Sequence, residues 1–464
     1  VQQAKSRPEK LRGIEGLRAR MIGREHEFVM VKDAVDEWLN GHGQVVSIIG
    51  EAGIGKSRLV SELKEYINQI PLNPPLLKGE KENPSLEKVK SETPLLEEIN
   101  NPLNPPLLRG NSNSPFEKVN TNIPPLEKGG RGDLKPLTLE GRCLSIGQPI
   151  SYLPFLDILR TYFNISETDD MPAIAQKVTD QTKQLFPNSA DETLPFLGNL
   201  LSIKFGNDLD DMLKFATPEQ IRHQTLMQLK DMFAEMARKQ PLMMILEDLH
   251  WADELSLDLV SHLMDELSHI PLMLVCVYRP EKESRIIGLG DQAQRKCFDK
   301  YTEITLKPLS RLQSRQLVED LLSIDDLPES VRDTILQKSE GNPFFIEEII
   351  RSLIEQGMVY QEADRWKAKA EINQINVPDT IQSVVLSRVD RLKEEARYVL
   401  QCASVIGRLF RYRLLDHLTA YENKLDGYLN DFEDRDLVYE ERAVPELEYA
   451  FNHGIHFADT AEMY

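Results

Sequence analysis

The segment Gly50-Glu51-Ala52-Gly53-Ile54-Gly55-Lys56-Ser57 constrains this chain more than any other. It follows a β-branched run, Gln44–Gly50, and opens a helical pattern from Lys56 to about Asn68. A GxxxxGK[ST] pattern between a strand and a helix is the signature of a phosphate-binding P-loop. Gly50, Gly53 and Gly55 let backbone N–H groups approach a β-phosphate, where the N-terminus of the following helix also favours negative charge. Lys56 is placed to reach the β- and γ-phosphates, and the Ser57 hydroxyl to ligate Mg²⁺. Arg58 lies beside them in the first helical turn.

A P-loop needs acids to hold Mg²⁺ and orient an attacking water. Pro241-Leu242-Met243-Met244-Ile245-Leu246-Glu247-Asp248 supplies an apolar strand that ends in two carboxylates. The expectation is that this strand lies next to the phosphate loop, with its acids facing the metal. Glu247 is assigned the metal-coordinating position and Asp248 the water-polarising one, with the reverse assignment left open. Arg279, just past the apolar run Leu272–Tyr278, would sit at the same sheet edge and sense the γ-phosphate. Lys56, Glu247, Asp248 and Arg279 thus form the candidate catalytic set. In Gly341-Asn342-Pro343-Phe344-Phe345, Pro343 opens a helix and can pack on an adenine ring.

The surrounding pattern alternates strands with helices. Leu137–Gly141, Leu242–Leu246, Leu272–Tyr278 and Glu303–Leu306 read as strands; Pro154–Phe163, Ile221–Arg238 and Leu255–Leu267 read as helices. Several βα units of this kind imply an α/β fold, a P-loop NTPase with a parallel sheet and flanking helices, over residues 21–308. Residues 1–20 read as a linker. After about Pro308 the strands are expected to stop. Gln313–Leu322, Val331–Ser339 and Phe344–Gln356 then form an α-helical lid over 309–375. Residues 376–453, with helices Ile381–Leu392 and Glu394–Ile406, read as a winged-helix-like region.

One stretch, about 70–136, interrupts the core. It repeats a phrase, seen as Asn73-Pro74-Pro75-Leu76-Leu77-Lys78-Gly79, Asn104-Pro105-Pro106-Leu107-Leu108-Arg109-Gly110 and Ile123-Pro124-Pro125-Leu126-Glu127-Lys128-Gly129. Proline removes helical and ladder hydrogen bonds, so the stretch reads as a disordered Pro-rich insertion, resembling a translated interspersed repeat. A proline-rich docking segment is the alternative.

Charge and composition narrow the partners. A net charge of −20 argues against a broad nucleic-acid footprint, which requires basic patches. No apolar run approaches the roughly 18 residues of a membrane span. The four cysteines, Cys143, Cys276, Cys297 and Cys402, are scattered as reduced cytosolic thiols would be. A cytoplasmic location is expected.

Several phrases together resemble one family. Met21-Ile22-Gly23-Arg24-Glu25, Leu246-Glu247-Asp248-Leu249-His250-Trp251-Ala252-Asp253, Tyr278-Arg279-Pro280-Glu281 and Gly341-Asn342-Pro343-Phe344-Phe345 are similar to those of AAA-type signal-transduction (STAND-like) P-loop ATPases. Such modules accompany bacterial adenylate and guanylate cyclase domains and occur in large transcription regulators and kinases. The resemblance runs from about Gly13 to His453, less the insertion. It implies ATP and Mg²⁺ as ligands, an adenine pocket near Ile22 and Gly23, and a phosphate-reading histidine at His453 in Phe451-Asn452-His453. It also implies an upstream effector domain, downstream helical repeats, a nucleotide-dependent oligomer, and slow hydrolysis that resets a regulatory switch. Residues 454–464 leave the family and resemble an aldo-keto reductase fragment. A TIM barrel needs about 250 residues, so this aberrant tail predicts no reductase. Two other readings stand beside the switch: a DNA-associated AAA+ ATPase with a winged helix, and a decayed, non-functional remnant.

Overall fold

Strands whose every residue is apolar need cover on both faces, and two runs of this chain meet that demand in the middle of one sheet. The computed structural model describes residues 20–70, 135–144, 150–166, 169–206, 208–280, 286–322, 327–362, 365–369, 380–406, 409–419, 424–435, 437–441 and 454–457. Five strands, β1 (Gln44–Ile49), β2 (Leu137–Arg142), β3 (Leu242–Glu247), β4 (Leu272–Tyr278) and β5 (Tyr301–Thr305), pair in parallel in the order β2-β3-β4-β1-β5. Both β3 and β4 are buried throughout.

This order corrects one expectation. The acid-bearing strand β3 is not the neighbour of the P-loop strand β1; β4 lies between them. An apolar run reveals that a strand is buried, but not which strand it pairs with. The consequence is that Arg279, at the end of β4, stands between the phosphate loop and the acids.

Helices cover the sheet: α1 (Glu25–Leu39), α2 (Lys56–Gln69), α3 (Leu153–Tyr162), α4 (Met171–Leu185), α5 (Ala190–Leu201), α6 (Pro218–Lys239), α7 (Glu254–Glu266) and α8 (Ile287–Lys296). Alternation along the strands divides the core. Val45, Met244, Leu246, Leu274 and Cys276 join the cluster formed with Phe155, Phe163, Phe233 and Leu263. Their neighbours Val46, Ile48, Met273 and Val275 are equally buried on the other face, and α1 packs against β1, β4 and β5. Local chemistry sets the helix starts. Thr217 and Gln220 form a capping box ahead of α6, Asp253 caps α7, and Asn342 caps a later helix that begins at Pro343.

Beyond the sheet, α9 (Arg311–Leu322), α10 (Glu329–Ser339) and α11 (Pro343–Glu355) form a helical unit with its own core of Leu317, Val318, Ile335, Ile346 and Ile350. Strands do not stop there, contrary to expectation. Gly357, at φ +62°, turns the chain into an antiparallel hairpin of β6 (Val359–Glu362) and β7 (Arg365–Ala368), whose Trp366 packs on that core. Four-residue strands leave too little period to be read from sequence.

The last region holds α12 (Ile381–Val389), α13 (Glu394–Ile406), β8 (Leu409–Arg411), α14 (Tyr412–Thr419), α15 (Leu425–Asp434), β9 (Val438–Glu441) and β10 (Gly454–Phe457). Its strands pair antiparallel in the order β8-β10-β9. Gly454–Phe457, read from sequence as the start of a separate tail, is therefore the middle strand of this sheet. A buried charge network ties the region to α11. Arg388 of α12, with 2% of its side chain exposed, donates Nε to Glu355 at 2.9 Å and its other nitrogens to Glu348 and to the carbonyl of Arg435. Glu348 also pairs with Arg351 at 2.9 Å.

Removing one member of such a network strands the rest, at a cost of about 3–5 kcal/mol. Arg388→Ala should lower the urea unfolding midpoint accordingly, whereas Arg311→Ala, which breaks an exposed pair with Asp333, should change it by less than about 1 kcal/mol.

Candidate nucleotide-binding site

The P-loop is held by donors that reach its carbonyl oxygens one after another. Lys56 Nζ donates to Gly50 O at 2.8 Å and to Glu51 O at 3.0 Å. Asn342 Nδ2 donates to Ala52 O at 3.0 Å, and the backbone N–H of Phe344 to Gly53 O at 3.3 Å. Arg24 Nη2 donates to Ile54 O at 3.1 Å and, beyond the loop, to Lys307 O at 2.7 Å. Gly53 and Gly55 take φ of +71° and +104°, conformations that glycine adopts without Cβ strain. The carbonyls from Gly50 to Ile54 are thereby tied to the protein, an arrangement suited to a backbone whose N–H groups serve an anion.

Lys56 is buried, while Ser57 is exposed at the start of α2. Arg58 pairs along the helix with Glu62 at 2.6 Å. Ile22 is buried in the core of the α9–α11 unit, and Gly23, at φ +68°, abuts Gln313 of α9. Between this unit and the loop stands Arg24, whose burial lowers its pKa against the opposing pull of Glu27 and Glu25. Sequence reasoning singled out Ile22 and Gly23 as site residues and reached Arg24 only within the phrase Met21-Ile22-Gly23-Arg24-Glu25. The available signal was an arginine fixed between a glycine and an acidic helix start.

Glu247 and Asp248 are both buried at the end of β3. Asp248 adopts a left-handed conformation, φ 57°, which turns the chain into the short helical turn Leu249–Trp251. Aspartate tolerates that conformation better than most residues, and backbone strain of this kind concentrates at functional sites. In the β2–β3 register Arg142 lies opposite Glu247, and its Nε donates to Glu247 Oε2 at 2.9 Å. Gly141 makes this placement possible, since a Cβ there would fall 1.9 Å from the carbonyl of Pro154. Arg142 is a residue that sequence reasoning did not reach.

Arg279, Trp251 and His250 gather at the end of β4. The Arg279 guanidinium lies 5.6 Å from the Trp251 ring, whose centroid is 4.5 Å from that of His250 with the two rings tilted by 40°. His250 is held down to about 3 by its burial first, then by the charges of Arg279 and Lys56. Pro343 occupies the first turn of α11, between Asn342 and Phe344, the two residues that touch the P-loop. His453 lies outside the described residues, as do residues 1–19 and most of the Pro-rich insertion.

The site's oxygen donors, the Ser57 hydroxyl and the carboxylates of Glu247 and Asp248, fit Mg²⁺. That ion commonly takes one or two carboxylates together with substrate phosphates. Among the described residues no cluster of three or more His, Cys, Asp or Glu could hold a metal alone.

A family model described as an AAA ATPase domain matches residues 129–275, and a domain of unknown function matches 310–367. The first match begins beyond the P-loop and covers β2, β3 and their acids. Together with the sheet order and the phosphate loop, that match supports an AAA-type P-loop ATPase module. An uncharacterized protein of Rhizobium meliloti is 27% identical over 195 residues, 41% of this chain and 17% of that protein. The peroxide stress-activated histidine kinase mak3 of Schizosaccharomyces pombe is 25% identical over 183 residues, 38% of this chain and 8% of the kinase. The matched segment is thus a small part of either relative. Among solved structures, a signal transduction ATPase with numerous domains and a tetratricopeptide repeat sensor, from Pyrococcus horikoshii, aligns at TM-score 0.42 and 11% identity. That alignment covers 97% of this chain and 43% of the other. Drosophila ORC bound to DNA aligns at 0.37 and 9%, covering 100% and 95%. Both scores lie below 0.5 and bear on neither ligand nor partner.

His250 generates a pH prediction. Its folded-state value lies below the ordinary 6.5, so the stability gained by keeping it neutral is present above 6.5 and lost as pH falls toward about 3. His250→Phe should therefore lose less stability than the parent between pH 6.5 and 4, measured as urea midpoints across that range.

Proposed function

We propose that the chain is an ATP-binding, slowly hydrolysing regulatory switch module of a larger signalling protein. The single observation that carries this reading is the seating of α11 on the phosphate loop. Asn342 and Phe344 hydrogen-bond to Ala52 and Gly53, so a group entering between loop and helix must act on both. A helix whose end touches the phosphate loop is a natural reporter of what that loop holds, because a ligand shifts an equilibrium only through contacts that differ between the two states.

The roles follow from position. Lys56 would exchange the carbonyls of Gly50 and Glu51 for phosphate oxygens, which offer a charged acceptor in their place. Ser57 and Glu247 would hold Mg²⁺, which supplies charge neutralisation at the β- and γ-phosphates. Asp248 would orient the attacking water, and Arg279, on the strand beside β1, would meet the γ-phosphate. Ile22, Gly23 and Pro343 lie where the α9–α11 unit approaches the loop and would border the adenine, and His453 is assigned to reading the phosphates. The effector, whether a nucleotide cyclase, a kinase or a transcription regulator, would lie upstream in the parent protein, with helical repeats downstream and a nucleotide-dependent oligomer as the signalling form.

Equilibrium binding of ATP and ADP with Mg²⁺, compared between the parent and Lys56→Ala, tests the reading. Micromolar binding that weakens by about tenfold or more in the variant, about 1.4 kcal/mol, is expected. A folded protein that binds neither nucleotide would overturn the switch and leave the decayed remnant in front.

A further inference from the structure

The ion pair between β2 and β3 has a bearing on how metal reaches the site. Glu247 is the acid assigned to Mg²⁺, yet in the structure its Oε2 accepts from Arg142 Nε at 2.9 Å and from a second nitrogen of the same guanidinium. Both side chains are largely shielded, with 28% of Arg142 and 10% of Glu247 exposed. Strand register enforces the meeting, since Arg142 and Glu247 are direct partners in the parallel ladder. The backbone also holds the pair: the N–H of Cys143 donates to the carbonyl of Glu247 at 3.0 Å, and α3 packs directly on β2. Gly141 allows α3 to come close enough for that contact.

We propose that Arg142 is a positioning residue that makes metal binding conditional on nucleotide. The inference rests on the magnesium–nucleotide reading of the site. Arginine remains protonated at every physiological pH, so Glu247 is permanently compensated. Glu247 and Asp248 together with Arg142 carry a net charge of about −1, and the charges of Lys56 and Arg279, which reach neighbouring His250, make the site less negative still, a weak trap for a dication competing with its own hydration shell. Phosphate oxygens bring the missing negative charge, so the ion arrives with the nucleotide rather than before it. Arg142 also fixes the carboxylate through one oxygen, which sets the direction in which the group can ligate.

Mn²⁺, followed by electron paramagnetic resonance as loss of the free-ion signal, is the probe. In the nucleotide-free parent protein no binding is expected below about millimolar ion. Arg142→Gln should bind Mn²⁺ without nucleotide at least about tenfold more tightly, because a unit charge close to the ion has been removed. Arg142→Lys, which keeps the charge, should behave as the parent. The double variant Arg142→Gln with Glu247→Gln should lose the gain. Identical Mn²⁺ titrations for the parent and Arg142→Gln would overturn the proposal, and so would a gain that survives Glu247→Gln. Should Arg142→Gln fail to fold, Arg142→Met, which fills the apolar part of the same volume, takes its place with the same expectation. Binding of ATP with Mg²⁺ to the parent is measured alongside: its absence overturns the switch reading, whereas its presence with an unchanged Mn²⁺ titration overturns only the role of Arg142.

Discussion

A loop rich in glycine has no shape of its own, and what gives this phosphate loop its shape is the capture of its carbonyl oxygens. From Gly50 to Ile54 each accepts a hydrogen bond, and the donors come from Lys56 of α2, from Asn342 and Phe344 of α11, and from Arg24 ahead of α1. Each such bond contributes only about 1 kcal/mol net, but an unsatisfied carbonyl beside a buried lysine would cost more. The rest of the architecture can be understood as the means of bringing these donors together. The sheet holds β1 and β4 beneath the loop, Lys307 anchors Arg24 beyond β5, and Gly341 lets α11 begin within reach.

Much of this was legible in the sequence because the phosphate loop is local. Its pattern, its strand and its helix lie within one contiguous stretch, so spacing alone fixes Lys56 and Ser57 at the mouth of α2. The strands β3 and β4 were equally legible, since uninterrupted apolar runs leave few alternatives. What could not be read is whatever depends on distant partners. Strand order is one such property, and it placed β4 rather than β3 beside the loop. Arg142 and Arg24 are others: each follows a glycine, but each meets a group remote in the chain that no local spacing reveals. The short hairpin β6–β7 and the strand Gly454–Phe457 escaped for a different reason, because so few residues carry no period.

The two ends of α11 have different chemistry. Its N-terminus offers neutral hydrogen bonds to the phosphate loop, and its later turns carry Glu348 and Glu355 into a buried network with Arg388. Neutral hydrogen bonds at one end and buried ion pairs at the other join α11 more firmly to α12 than to the phosphate loop.

Among the described residues the strand β2 lies at the edge of its sheet, paired with β3, and Lys64 of α2 reaches across to Glu140 on it at 2.8 Å. Because the cost of closing a flexible connection rises only with the logarithm of its length, about 0.6 kcal/mol per doubling, separation along the sequence is a weak constraint on the meeting of α2 and β2. The polypeptide is therefore modular at this seam. A segment carrying the phosphate loop and a segment carrying the acids meet through the sheet, and the covalent link between them is the part the architecture needs least.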